Sequence, residues 1–131
     1  MQNENIKTVQ KYFDSLAKGD LETLSGLFAE DVIWHQPGRG KLSGTYKGKQ
    51  EVFGLFGQFM EISQGSFKID SVGNLMSNEN LVTATLHFSA TRSNGQSMSM
   101  DGVDLMKIEN GKIKEVYLFS GNQSVEDSFW A

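Results

Sequence analysis

The chain has 131 residues, 38% of them hydrophobic, and a formal charge of −4 from 16 acidic and 12 basic side chains, a size that fits one domain built on one layered core. The basic residues are scattered rather than gathered into a stripe, which excludes the footprint of a nucleic-acid binder, and the lack of cysteine excludes disulfides, thiolate catalysis and thiolate metal sites. No apolar run approaches the roughly 18 residues that a membrane span needs, and the start MQNENIKTVQ is too polar for a signal peptide, so a soluble, unprocessed, cytoplasmic protein is expected.

Ile6, Val9, Phe13 and Leu16 recur at steps of three and four, which predicts an amphipathic helix with Asn3 or Asn5 as its N-cap and Lys18-Gly19 as its stop. Asp20 can cap a second, shorter helix with apolar positions at Leu21, Leu24, Leu27 and Phe28, ended by Glu30-Asp31. Residues 32–36, Val-Ile-Trp-His-Gln, are β-prone and stopped by Pro37-Gly38, so a short strand is expected, followed by a glycine-spaced loop. Val52, Phe53, Phe56, Phe59, Met60 and Ile62 recur at helical spacing between Lys49 and Ser63, and Gln64-Gly65 ends that helix. Gly54 and Gly57 inside it each cost about 1 kcal/mol of helix propensity, for which close packing against another element would compensate.

From Ser66 the period changes to two, and four strands are expected at 66–76, 81–92, 97–109 and 112–120. Asn94-Gly95 and Asn110-Gly111 lie between such runs, and Asn-Gly supplies the two positive φ angles of a tight hairpin. Val82, Ala84, Leu86 and Phe88 share one face of their strand, and Thr83, Thr85, His87 and Ser89 share the other. The apolar face should carry the helices, leaving the hydroxyl-rich face to solvent or a partner. The tail, 120–131, contains Val125, Phe129 and Trp130 and is too apolar to stay free, so it should dock on the domain or on a second subunit.

Helix, helix, strand, helix and a four-strand antiparallel run resemble the cone-shaped α+β fold of the nuclear-transport-factor-2-like (NTF2-like) superfamily. The stretch Val9-Gln10-Lys11-Tyr12-Phe13 through Gly19-Asp20-Leu21, Leu27-Phe28-Ala29, Asp31 and Pro37-Gly38 is similar to the N-terminal third of bacterial ketosteroid isomerases. Trp34-His35-Gln36-Pro37-Gly38, Leu42-Ser43-Gly44-Thr45-Tyr46-Lys47-Gly48 and the ending Phe129-Trp130-Ala131 resemble the SnoaL-like branch, so that the likeness covers nearly the whole chain. The resemblance implies three N-terminal helices packed on a curved, mainly antiparallel sheet that encloses an apolar pocket, commonly in a homodimer formed through the outer sheet face. On the isomerase pattern the oxyanion tyrosine falls on Tyr12 and the protonated aspartic acid on Asp104. The general base falls on Gln36, which takes no proton at neutral pH.

Other residues are weighed on their own chemistry. Asp104 alternates with Met106 and Ile108, so a simple pleat sets a carboxyl among apolar side chains; it is either a desolvated pocket acid or a solvent-facing aspartate. Asp101 has the opposite parity and cannot join it in a dyad without a bulge. His35 titrates near neutrality and is the natural substitute base, yet Trp34 and Gln36 share one strand face and His35 the other. His87 falls on the outward face, at an interface or in solvent. Two distant histidines give no metal-ligand spacing, no serine has a nucleophile-elbow context, and the loop 38–48 matches no phosphate-binding fingerprint, so no metal and no cofactor is expected. That loop reads as a mobile pocket rim, with Arg39 as an anchor for an anionic substrate group. Trp34, Tyr46, Phe53, Phe56, Met60, Leu118 and Trp130 either line the pocket or fill the core.

Three functions fit. An enzyme would move protons on a small apolar carbonyl compound by isomerisation, cyclisation or dehydration, with Tyr12 and Asp104 stabilising an enolate, Trp34 or Gln36 orienting the substrate and His35 or water as base. A carrier would keep the pocket and move no proton, and a dimeric interaction module would fill it with its own side chains. An epoxide-hydrolase variant needs an Asp/Arg/Asp set that Arg39 and Arg92, the two arginines, serve poorly.

Overall fold

The computed structural model describes residues 2–131, with side chains from residue 4. Its elements run α1 (Gln2–Lys18), α2 (Leu21–Leu27), β1 (Phe28–Gln36), β2 (Gly44–Lys47), α3 (Lys49–Ser63), β3 (Lys68–Asn78), β4 (Leu81–Thr91), β5 (Ser97–Glu109), β6 (Lys112–Ser120) and α4 (Gln123–Trp130). Helix α1 already runs from Gln2, so Asn5 lies within it instead of capping it and donates from Nδ2 to the Glu79 carbonyl at 3.4 Å; the Asn3 side chain lies outside the described residues. Gly19, at φ +67, closes α1. Asp20 then caps α2, its carboxylate accepting from the Thr23 amide at 3.1 Å and the Thr23 hydroxyl at 2.7 Å.

The six strands form one curved, unclosed sheet in the order β2-β1-β6-β5-β4-β3, antiparallel except where β1 runs parallel to β6. Helix α2 stops at Leu27, one residue short of the expected Phe28, and β1 begins four residues earlier than the sequence pattern indicates. Phe28 and Val32 both reach the core, and a register irregularity between Phe28 and Ile33 absorbs Glu30-Asp31. Gly44–Lys47, expected as loop, pairs with β1 at the sheet edge. The glycines of this segment mask a short β-prone run, Thr45-Tyr46.

The Asn110-Gly111 hairpin has φ of +52 and +75 at its two central residues, the expected tight turn. The Asn94-Gly95 turn differs: Gly95 alone has positive φ, and Arg92 and Gln96 close a longer loop. Asn94 Oδ1 accepts from the Gln96 amide at 2.9 Å, which holds Asn94 out of the left-handed region.

On β4, Val82, Ala84, Leu86 and Phe88 are buried against the helices, as their alternation indicates. Helix α1 contributes Val9, Tyr12 and Phe13 to this core, and α3 contributes Val52, Leu55 and Phe59. Gly54 and Gly57 fall on the exposed side of α3, and a Cβ at either would meet nothing within 4 Å. The close packing expected there is absent, so their propensity cost stands uncompensated. The tail forms a fourth helix and docks on the chain itself. Phe129 is fully buried, and the Trp130 ring lies 4.8 Å from Phe59 and 5.8 Å from Phe67. Arg92 Nη1 ties down its end, donating to the Phe129 carbonyl at 2.7 Å and the Ala131 carbonyl at 2.6 Å.

Candidate functional site

Helices α1, α3 and α4 stand off the inner face of the sheet and leave a cavity of about 1010 Å³, within the range that takes a small molecule. Its walls are aromatic, from Trp34, Phe56, Phe59, Phe67, Phe88 and Trp130. Part of its depth comes from Gly102, where a Cβ would lie 2.9 Å from the Phe119 carbonyl oxygen and 3.1 Å from the Phe88 ring. Polar side chains enter at the buried positions Tyr12, Gln36, Asp104 and Glu126, and at Ser15, whose hydroxyl is turned back to the Lys11 carbonyl at 2.7 Å.

Strand parity brings Asp104 inward. It pairs with Ala84 on one side and Leu118 on the other and is 7% exposed, which decides between its two sequence readings in favour of the desolvated acid. Burial, reinforced by the negative charge of Glu126, pushes its carboxyl up to about 7. Tyr12 is 2% exposed, edge-on to Phe13 and Phe28, and burial followed by the Asp104 charge holds its phenol well above the ordinary tyrosine value. Hydrogen bonds within the described residues engage neither the Tyr12 hydroxyl nor the Asp104 carboxyl. No fully enclosed side-chain N or O atom among those residues lacks a partner, so both groups open onto the cavity.

Gln36 is held in a network. Its Oε1 accepts from Trp34 Nε1 at 3.0 Å, and its Nε2 donates to Glu126 Oε2 at 3.5 Å. Glu126 Oε2 also accepts from Trp130 Nε1 at 3.2 Å, while Oε1 accepts from the Ser120 hydroxyl at 2.6 Å and Gln123 Nε2 at 3.1 Å. The bond from Trp34 fixes the flip of the Gln36 amide and turns its NH₂ toward Glu126. Sequence reasoning missed Glu126. The signal was its spacing, one helical turn from Trp130, legible only once the tail is read as a helix.

Of the residues singled out from the sequence, Tyr12, Trp34, Gln36, Phe56, Met60, Asp104, Leu118 and Trp130 line the cavity, and His35, Arg39 and Tyr46 do not. His35 obeys the alternation of β1 and projects from the outer face, where its ring stacks on Tyr117 at 4.3 Å and Nε2 lies 2.6 Å from Glu115 Oε2. It is therefore out of reach as a base for the cavity. Arg39 is exposed because its loop turns away after Pro37 and is pinned to α4, the Arg39 amide donating to Asp127 Oδ2 at 3.0 Å. Tyr46 sits on edge strand β2 and donates to the Leu42 carbonyl at 2.7 Å, and Phe53 fills the core between Phe28 and Phe56.

The outer face holds a relay the sequence did not suggest. His87 Nδ1 lies 2.8 Å from Asp101 Oδ1, and Nε2 lies 2.7 Å from the Ser99 hydroxyl. The β4–β5 pairing is continuous around it, which engages the strand amides, and the Asp101 side chain is 89% exposed. With its strand amides engaged and the aspartate bound to Nδ1 exposed, the relay lacks what a nucleophilic serine requires. Among the described residues no three His, Asp or Glu side chains cluster as metal ligands, and no helix is long and apolar enough to cross a membrane.

A curved sheet wrapped by helices around an aromatic cavity with buried polar groups defines a small-molecule pocket protein on the cone-shaped α+β fold. Residues 9–116 match the SnoaL-like domain, and the chain belongs to that family. It is similar to a Xanthomonas campestris protein of unknown function with a cystatin-like fold, 42% identical, with a TM-score of 0.93 and coverage of 97% of this chain and 98% of that one. Bal32a, from a soil-derived mobile gene cassette, is 25% identical with a TM-score of 0.93, covering 99% and 98% of the two chains. An uncharacterised Mycobacterium tuberculosis protein is 26% identical over 97% of this chain and 96% of its own length.

Proposed function

We propose that the cavity takes a small apolar carbonyl compound, its oxygen set between the Tyr12 hydroxyl and the protonated Asp104 carboxyl, and that the protein promotes isomerase- or cyclase-type proton transfer on it. The observation that carries this reading is the pair of buried O–H donors, without a hydrogen-bond partner among the described residues, opening onto a largely aromatic cavity. In a desolvated site such donors stabilise developing negative charge far better than water does. Trp34 and Gln36, locked together, orient the ligand. A carrier that moves no proton is favoured by one feature only, the amide of Gln36 in the place where the resemblance sets a base.

Phenols of graded acidity test the reading, because a phenolate mimics an enolate. Binding followed by tryptophan fluorescence should weaken about 10- to 100-fold in Tyr12→Phe, the worth of one strong hydrogen bond, and stay unchanged in His35→Ala. Affinity indifferent to Tyr12 would overturn the oxyanion reading and leave the carrier.

The same proposal includes a homodimer through the outer sheet face, which exposes Met76, Leu81, Tyr117 and Phe119. Sedimentation velocity should find a dimer for the wild type and a monomer for Phe119→Asp; a monomeric wild type at micromolar concentration would refute it.

A further inference from the structure

Two carboxyl groups are buried in the cavity wall, and their surroundings differ. Asp104 receives no hydrogen bond from the described residues. Glu126 receives donors from β1, β6 and its own helix: Gln36, Ser120, Gln123 and Trp130. Four donors and no acceptor are the setting of an anion. The lysines that line the cavity, Lys18 and Lys68, are exposed, and among the described residues no Lys, Arg or His lies within ion-pair distance of Glu126. The cavity thus carries a resident negative charge.

We infer that Glu126 is the proton acceptor of the cavity, taking the proton that a bound ligand loses as its oxygen becomes anionic between Tyr12 and Asp104. This rests on the reading of those two residues as oxyanion donors. With a ketone, the α C–H bond breaks and its electron pair becomes the new C=C bond. The carbonyl π pair moves to oxygen, and the proton goes to a Glu126 carboxylate oxygen. Return of that proton to a different carbon reverses the electron flow and completes an isomerisation. A second buried anion would be costly to create, and this transfer creates none, because the single negative charge moves from Glu126 to the ligand oxygen. Oε2 is the oxygen suited to the task, since its bond from Gln36, at 3.5 Å, is the longest of the four. The carboxylate stands one amide away from Gln36, where the resemblance places a base.

The titratable groups facing Glu126 leave no rival among the described residues. Below about 7, Asp104 on β5 already holds its proton, and burial keeps the Tyr12 phenol on α1 protonated. Asp127, next in α4, accepts from Gln123 and the Arg39 amide away from the cavity, and both histidines are on the outer face.

A nitrophenol reads the transfer directly, because its neutral and ionised forms absorb differently. The measurement is made below both the phenol's own pKa and about 7, where Asp104 stays protonated. Wild type should bind the phenol in its ionised form with no proton released to solvent, so that the binding enthalpy does not vary with the ionisation enthalpy of the buffer. In Glu126→Gln the bound phenol should stay neutral, or ionised binding should weaken about tenfold for each pH unit below the phenol's pKa. One proton released per phenolate bound by wild type overturns the assignment without reliance on any variant, as does ionised binding by Glu126→Gln at wild-type affinity. A phenol that binds wild type in neutral form also overturns it, yet leaves the oxyanion reading standing if the affinity depends on Tyr12. No binding at all removes both.

Discussion

Asp104→Asn is expected to stabilise the protein by roughly 4 kcal/mol at about pH 8 and to change little below about pH 3, where the wild-type residue is protonated in both states. The folded carboxyl titrates at about 7 against an ordinary 3.8. Between these values the native state binds a proton that the unfolded chain has released, so wild-type stability falls as pH rises through the interval and stays low above it. Asparagine has no proton to lose and can still donate from its amide. Other carboxylates slope the opposite way: a bond from Thr23 lowers Asp20, a bond from Lys114 lowers Asp31, and a bond from His35 lowers Glu115. Those groups favour folding above their ordinary values and are common to both proteins. The difference between wild-type and Asp104→Asn urea midpoints across that range therefore isolates Asp104. A difference that does not grow with pH would show a solvated, unshifted Asp104. The expected slope marks an acid kept at the expense of stability, as residues retained for a site commonly are.

Much of this was legible because period and parity are local. The alternation of β4 orients the sheet, and the same parity sets Asp104 beside Met106 and turns His35 away from Gln36. The sequence left Asp104 with a solvated alternative because parity names a face but not what covers it, and that cover is supplied by α1 and α4 from the two ends of the chain. Helix α4 itself was hidden by its brevity, with eight residues and mixed polarity that show no period until the Asn122 cap, accepting from the Val125 amide, marks its start. Glu126 was hidden with it. Tyr46 and Arg39 misled for a related reason: residue type suggests a contact, whereas the turn at Pro37 and the edge pairing of β2 decide direction.

Phe129→Ala is expected to cost about 3–5 kcal/mol, as truncation of a fully buried phenylalanine does, and to abolish phenol binding along with it. An eight-residue helix has no stability of its own, so α4 persists through what it buries. Phe129 is fully enclosed and edge-on to Trp130 at 4.9 Å, and the Arg92 guanidinium and Gln96 amide hold carbonyls at 128, 129 and 131. Loss of that anchor releases Trp130 from Phe59 and withdraws Glu126 from Gln36, so one wall of the cavity and its resident charge go together. Val125, 40% exposed on the same helix, provides the contrast, and Val125→Ala should stay within about 0.5 kcal/mol of wild type. Urea unfolding gives the energies, and amide exchange over 123–131 shows where they act. Fast exchange confined to that segment in Phe129→Ala is the expected pattern. Wild-type protection there would mean that Phe129 does not anchor the helix, and the carboxylate it delivers would need another support.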